Sequence, residues 1–374
     1  MCVKKLSVLL PQKPVVCLVA VATCAQNMSA HLRQVASSAE ATSAGRGTMD
    51  YICDVCPRGC RLKEGRIGFC GVRAIRDGRN ICRTYGAVAA LHIAPSEIKP
   101  FFHFKPAARW LSVGGLGCNL RCPGCQNHHI AHSRVTDEEL SRLQQLEPHQ
   151  LVRLAKEAGC VGLSFTYNEP IIWWEYVVDT GYAARGAGLL MNLVTNGYAC
   201  EEVWRRLLDV CDAVRIDFKG FSGEVTMRAA NLRQPEVVRR NAKIANDLGV
   251  HIEIISNIIP TVNDAEDELR ATAEWIGENL GVDVAWHLTR FVPHLRLSHL
   301  PPTPLGTLEK GREIGLSAGL RFVYLGNVPG HPAENTYCPQ CGACVVQRFH
   351  TEIVAVNIRN GRCAKCGAEI PIVW

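Results

Sequence analysis

The sequence offers no uninterrupted apolar run long enough to cross a bilayer, because its most apolar segment, near the N-terminus, is cut by Pro11, Lys13 and Pro14. It carries little surplus charge of one sign. The 41 Lys and Arg against 35 Asp and Glu leave +6 over 374 residues, which by itself argues neither for nor against a membrane or nucleic-acid partner. One local excess, Arg58, Arg61, Lys63, Arg66, Arg73, Arg76, Arg79 and Arg83, reads as a solvated face and calls for no nucleic acid. The 19 cysteines are not spaced for disulfides either. Most lie two or three residues apart, which suits metal ligation better than S–S geometry and points to a reducing, cytoplasmic setting. A last absence is local: in "GCNLRCPGCQN" the cysteines Cys118, Cys122 and Cys125 have no fourth nearby.

What is present begins with a leader. Lys4 and Lys5 precede the apolar stretches Val8 to Leu10 and Val15 to Ala25, and "ASSAEATSAGRGT" follows. The expectation for residues 1–48 is a disordered leader or a start assigned too far upstream, with Met49 as the true beginning; a signal or transit peptide is the alternative. No other segment is a membrane candidate. The 47% hydrophobic content is enough to fill one large core.

From residue 109 short β-branched runs alternate with longer amphipathic ones. The expected strands are Trp110 to Val113, Val161 to Phe165, Leu189 to Thr195, Ala213 to Phe218, His251 to Ile259, Val284 to Leu288 and Arg321 to Tyr324. Helix signals fill the gaps: a capping box from Thr136 and Glu139, Pro148 and Pro235 in first turns, and Gly249 as a stop. This alternation predicts an α/β fold with parallel strands, either a complete or partial (β/α) barrel or a doubly wound sheet. Both gather chemistry at the strands' C-terminal ends. There the sequence carries "GGLGCNLRCPGC", "TYNEP", "TNGY", "DFKG", "PTVND" and "TRFVP".

Three thiolates in a loop rich in glycine fill three positions of an iron–sulfur cluster and leave one iron open; the competing reading is a zinc knuckle completed from a distance, or plain buried thiols. The spacing C-x3-C-x2-C after a first strand resembles the radical S-adenosylmethionine (SAM) superfamily. That resemblance implies a partial (β/α) TIM-like barrel over 109–330 and a [4Fe–4S] cluster on Cys118, Cys122 and Cys125, with SAM on the fourth iron. It further implies reductive cleavage of SAM to a 5′-deoxyadenosyl radical and a low-potential donor such as flavodoxin or ferredoxin. By the same resemblance, Thr166, Asn168 and Glu169 are candidates for the SAM ammonium, and Asn196, Asp217 and Lys219 for the pocket wall. "PTVND" resembles a turn of the activating enzymes, with Thr261 where they carry glycine. More narrowly, "CDVCPRGCRLKEGRIGFCGVR", "IAPSEIKPFFHFKP", "WHLTRFVP", "VYLGNV" and "NTYCPQCG", with the loops above, look like the radical SAM enzyme of the AmmeMemoRadiSam system, a group related to pyruvate formate-lyase activating enzymes. Two departures stand out. Gly124 occupies the place of an aromatic before the third cysteine, and His128 that of a tryptophan.

Flanking modules complete the chain. Cys338, Cys341, Cys363 and Cys366 form two C-x2-C-G knuckles within 331–374, the pattern of a zinc ribbon, with Cys344 left over. Cys53, Cys56, Cys60 and Cys70, within 49–108, suit zinc or an auxiliary iron–sulfur cluster, with Cys82 as a substitute ligand. Cys160, Cys200 and Cys211 read as buried small hydrophobes, and the pair Trp173 and Trp174 as core. His287 and Arg290 are expected at the reactive edge, orienting a carboxylate of SAM or substrate, and the Asp217–Lys219 pair is alternatively a plain strand-end ion pair. The functional expectation is a radical SAM enzyme acting on an unidentified small-molecule or protein substrate, among them other components of that system. The rivals are a glycyl-radical-enzyme activase and a non-catalytic, zinc-stabilised binding module.

Overall fold

The structure, a computed structural model, describes residues 50–133 and 135–374; the leader and Met49 lie outside the described residues. Eight strands form the central sheet: β1 Ala90–Pro95, β2 Arg109–Gly114, β3 Gly162–Phe165, β4 Leu190–Thr195, β5 Ala213–Asp217, β6 His251–Ile258, β7 Trp286–Arg290 and β8 Val323–Gly326. They lie side by side in chain order, all parallel from β2 to β8, with β1 antiparallel to β2 at one edge. An order with no reversal, with the right-handed crossovers that parallel strands favour, implies connecting helices on one face of the sheet and an inner, lumen face opposite.

Side-chain alternation separates the two faces. Leu111, Val113, Leu163, Phe165, Met191, Leu193, Val214, Ile216, Trp286 and Leu288 join the main core under the helices. Removing this much apolar surface from water is the dominant stabilising term. The lumen is floored by the segment "PFFHF", whose Phe101 and Phe104 pack on Trp110 and Ala213 and whose Phe102 packs on Phe322 and Tyr324. Glu253 of β6 ties the floor down: it accepts from the backbone N–H groups of Phe102 (3.0 Å) and His103 (2.9 Å) and pairs with His251 (3.2 Å) and His287 (2.7 Å).

Local signals act as the sequence implies. Thr136 and Glu139 close a reciprocal capping box on Asp137–Ser141. Pro148 and Pro235 open Pro148–Glu157 and Pro235–Asp247, and Gly249 takes the left-handed turn after the second. The basic run does not form one face: Arg73 is buried on Glu175 at 2.8 Å, Arg83 pairs with Asp137 at 2.6 Å, and Arg58 turns inward, while the others are exposed. No helix among the described residues is long and apolar enough to cross a membrane.

Residues 331–374 carry the hairpin β9 Cys344–Phe349 and β10 Glu352–Val356. Buried Arg348 locks it beneath the floor, its guanidinium 4.1 Å over the Phe102 ring and bonded to Phe102 O (3.1 Å) and Thr336 Oγ1 (2.7 Å).

Candidate metal and cofactor site

Parallel strands deliver their C-terminal loops to one edge, and the cysteine loop after β2 lies there. Its path is set by hydrogen bonds from outside it. Asn168 accepts from Gly115 N (2.9 Å) and donates to Leu116 O (3.2 Å) and Gly117 O (3.1 Å). Arg121 donates to Cys118 O and Ala131 O (3.1 Å each) and reaches back to Phe69 O (2.9 Å). Gly117, at φ 80°, passes so close to Cys70 that a Cβ would lie 2.3 Å from the Cys70 carbonyl oxygen. The loop and the N-terminal cysteine module are thereby interlocked.

The sulfurs are set in a donor-rich surround. Leu120 N–H points at Cys118 Sγ (3.3 Å), and the Asn196 amide, held by Asn119 Oδ1 (2.8 Å), approaches the same sulfur at 3.9 Å. Burial raises the thiols of Cys118, Cys122 and Cys125, the last to about 11, while Lys219 draws Cys122 and Cys125 back down. A metal cluster supplies the positive charge that holds such groups as thiolates. Neither adjacent carboxylate is free to be a fourth ligand. Glu169 accepts from Ile171 N (3.0 Å), Thr195 Oγ1 (2.6 Å) and Asn196 N (2.8 Å), and burial pushes it up to about 7. Asp217 is clamped between Arg215 (2.6 Å) and Lys219 (2.7 Å). Three thiols with no fourth protein partner among the described residues fit a [4Fe–4S] cluster with one open iron.

The sequence-predicted residues thus divide. Lys219 and Asp217 lie close enough to Cys122 and Cys125 to act on their charge, and Asn196 lies beside Cys118. Thr166, Asn168 and Glu169 come to the same edge, where the Asn168 amide holds the cysteine loop and the Glu169 carboxylate the Thr195–Asn196 turn. Arg290 ends β7, its Nε donating to Thr303 O (2.9 Å). His287 requires a correction. β7 begins at Trp286, not Val284, so His287 lies near the strand's start, buried on Glu253 and stacked with Tyr324, and belongs to the floor. Asn263 of the "PTVND" turn holds Ile259 N (2.6 Å) and Lys219 O (3.2 Å) and does not enter the site. Thr261 there sits at φ 65°, a backbone that disfavours a β-branched residue. Thr261→Gly should therefore stabilise the protein by about 1 kcal/mol, read from the denaturant midpoint at unchanged slope.

Three residues near the site were missed in the sequence. Asn119 bridges Tyr198 O (2.8 Å) and Asn196, Tyr167 holds a left-handed φ of 74°, and Phe291 stands over Gly124. A Cβ on Gly124 would meet Phe291 at 2.9 Å, so the ring missing from position 124 is replaced by one from the end of β7.

The flanking thiols differ in arrangement. At the C-terminus all four sulfurs lie within 4.8 Å of one another, with Cys338–Cys366 at 3.6 Å and Cys341–Cys363 at 3.8 Å, close to the edges of a tetrahedron built on ~2.3 Å metal–sulfur bonds. The knuckle glycines Gly342 and Gly367 donate to the carbonyls of Cys338 and Cys363 (2.9 Å each), not to sulfur as their spacing suggests. Cys53, Cys56, Cys60 and Cys70 instead line one small cavity with Arg58 and Asn119 and do not converge on a single-ion position. Cys82 stands apart, beside Thr84 at 3.5 Å, and Cys200 is only partly buried.

Residues 113–276 match the Radical SAM superfamily. Over 323 residues the chain is 38% identical to "Uncharacterized protein MJ0808" of Methanocaldococcus jannaschii, a match spanning 86% of this chain and 95% of that one. Among solved structures, a domain of pyruvate-formate lyase-activating enzyme from Bacteroides vulgatus is similar over 44% of this chain and 99% of its own, at 17% identity and TM-score 0.40. Streptococcus suis SuiB bound to S-adenosylmethionine is similar over 57% of this chain and 49% of its own, at 13% identity and TM-score 0.45.

Proposed function

The chain belongs to one family with MJ0808 of Methanocaldococcus jannaschii and carries a radical SAM superfamily domain, and on that premise we propose that it is a radical SAM enzyme of the AmmeMemoRadiSam type, abstracting hydrogen from a substrate of its own. The observation that carries this reading is the trio Cys118, Cys122 and Cys125 at the C-terminal edge of the sheet, with both neighbouring carboxylates already committed to other groups. Cys118, Cys122 and Cys125 would hold a [4Fe–4S] cluster, which, with an electron from flavodoxin or ferredoxin, would supply the reductive cleavage of SAM and the radical chemistry that follows from it. The chain's own part is positional. Asn168 and Arg121 fix the loop, Glu169 fixes the Thr195–Asn196 turn, and Lys219 offsets thiolate charge. The sequential parallel strands support a partial barrel over 109–330, whose floor keeps water from the reacting centre.

The module over 49–108 we read as holding an auxiliary iron–sulfur cluster, since four thiols spread around a cavity suit several metal ions better than one. The 331–374 module suits zinc. Cys363→Ala should then release one zinc per chain and open the ribbon, with the iron content unchanged; metal analysis after gel filtration reads this directly.

The decisive experiment is anaerobic reconstitution with iron and sulfide, then dithionite and SAM, with 5′-deoxyadenosine as the readout. A colourless protein holding only zinc, or a cluster that leaves SAM intact, would overturn the assignment. A glycyl radical raised on another polypeptide would move it to the activases.

A further inference from the structure

Alternation along β2, β3 and β4 aims Ser112, Ser164 and Asn192 into the lumen, on the same face as Trp110, Gly162, Leu190 and Val194. Register sets them side by side: Ser112 opposite Ser164, and Ser164 opposite Asn192. All three are fully buried, yet Ser164 Oγ and both amide atoms of Asn192 lack a hydrogen-bond partner among the described residues, and Ser112 Oγ has only the Tyr167 hydroxyl near it. A folded interior seldom leaves three adjacent polar atoms unmet, since each costs stability that an alanine or valine would not.

A charge faces the same layer. Lys99, at the head of the floor segment and only 4% exposed, lays its ammonium 4.3 Å from the centre of the Tyr167 ring, and it has neither a carboxylate nor a hydrogen-bond acceptor among the described residues. Burial, with Arg215 beside it, lowers it to about 8. Arg215 donates to Lys99 O (3.2 Å) and to Asp217, which it shares with Lys219, and its Nε is unpaired among the described residues. Tyr167 keeps its left-handed backbone because Asn127 grips its carbonyl (2.9 Å), and strain of this kind collects at ligand sites.

We propose that this layer, level in register with Ala213 and two same-face positions before Asp217, binds the carboxylate of a small substrate that also carries a hydroxyl or amine, with Lys99 as counter-ion and Ser112, Ser164 and Asn192 meeting the neighbouring polar groups. The charge count selects a carboxylate. Lys99 is the cation here without a carboxylate contact, Arg215 and Lys219 both meeting Asp217, and its single ammonium matches a monoanion better than a dianion. The orphan Asn192 Oδ1 needs a donor, which a bare carboxylate lacks and a hydroxy- or amino-acid has. Calling this ligand the substrate rests on the radical SAM reading; its binding does not.

Titration calorimetry on the anaerobically reconstituted full chain, with glycolate, acetate, acetamide and inorganic phosphate as probes, tests it. Glycolate should bind saturably, with phosphate and acetamide at least tenfold weaker. Lys99→Met should weaken glycolate at least tenfold and, without ligand, raise Tm by about 2 °C or more, because an unpaired buried charge is gone. Asn192→Leu should likewise raise Tm and abolish the preference for glycolate over acetate. A wild-type protein that binds none of the probes, or two variants that lower Tm and bind glycolate unchanged, would overturn the proposal. These readings are independent of SAM cleavage, so an enzyme that binds glycolate and leaves SAM intact would discredit the functional assignment and not this site.

Discussion

Cys122→Ala is expected to abolish the SAM-responsive cluster and all 5′-deoxyadenosine formation while the C-terminal zinc stays at one per chain. The asymmetry follows from placement. Cys122 lies with Lys219 and Asp217 at the C-terminal edge of the sheet, whereas the ribbon's four sulfurs belong to a separate core that meets the sheet beneath its floor through Arg348. Two remaining thiolates hold a cubane poorly, so the loss should be all or none rather than graded. Iron, sulfide and zinc analysis, with electron paramagnetic resonance of the dithionite-reduced protein with and without SAM, reads the outcome. Loss of both metals together would show that the modules depend on each other and would contradict the partition drawn here.

Gly117→Ala is expected to be the most damaging change of a single methyl group. The residue combines a left-handed φ of 80° with contacts that leave no room: the new carbon would lie 2.3 Å from Cys70 O and 2.8 Å from Val72 Cγ2. Neither neighbour can retreat cheaply, since one is backbone and the other is core. A loss of about 3 kcal/mol or more is expected, a fall in Tm of roughly 6–12 °C, together with loss of iron from both cysteine sets. Gly186→Ala is the control, because nothing lies within 4 Å of its added carbon and alanine favours its helix. Equal melting of the two variants would refute the interlock.

How far the sequence disclosed this arrangement depends on which residues carry their meaning locally. The seven parallel strands were legible because β-branched runs and turn signals recur, and the cysteines because their spacing is itself chemistry. β1 was not, since "ALHIAP" has no clean alternation and ends in proline; it is a strand only because β2 offers an edge to pair with. Reading β7 two residues early put His287 at the mouth, and period two does not forgive such a slip in depth. Asn168 was expected to meet SAM because it sits in the right loop, but its bonds to Gly115, Leu116 and Gly117 are a tertiary fact. Lys99 gave no signal, being one lysine before a proline, and only the folded floor turns it inward.

That floor has a kinetic meaning. Phe101, Phe102, His103 and Phe104 are all nearly inaccessible and are held by Glu253 and Arg348, so the proposed barrel offers no entry from its base. Whatever lodges against Ser164 must pass the cysteine loop before SAM covers it, and cannot depart until the spent nucleoside has gone. Traffic through a single doorway is last in, first out, so initial-rate measurements should show a compulsory order, with the deeper ligand bound first.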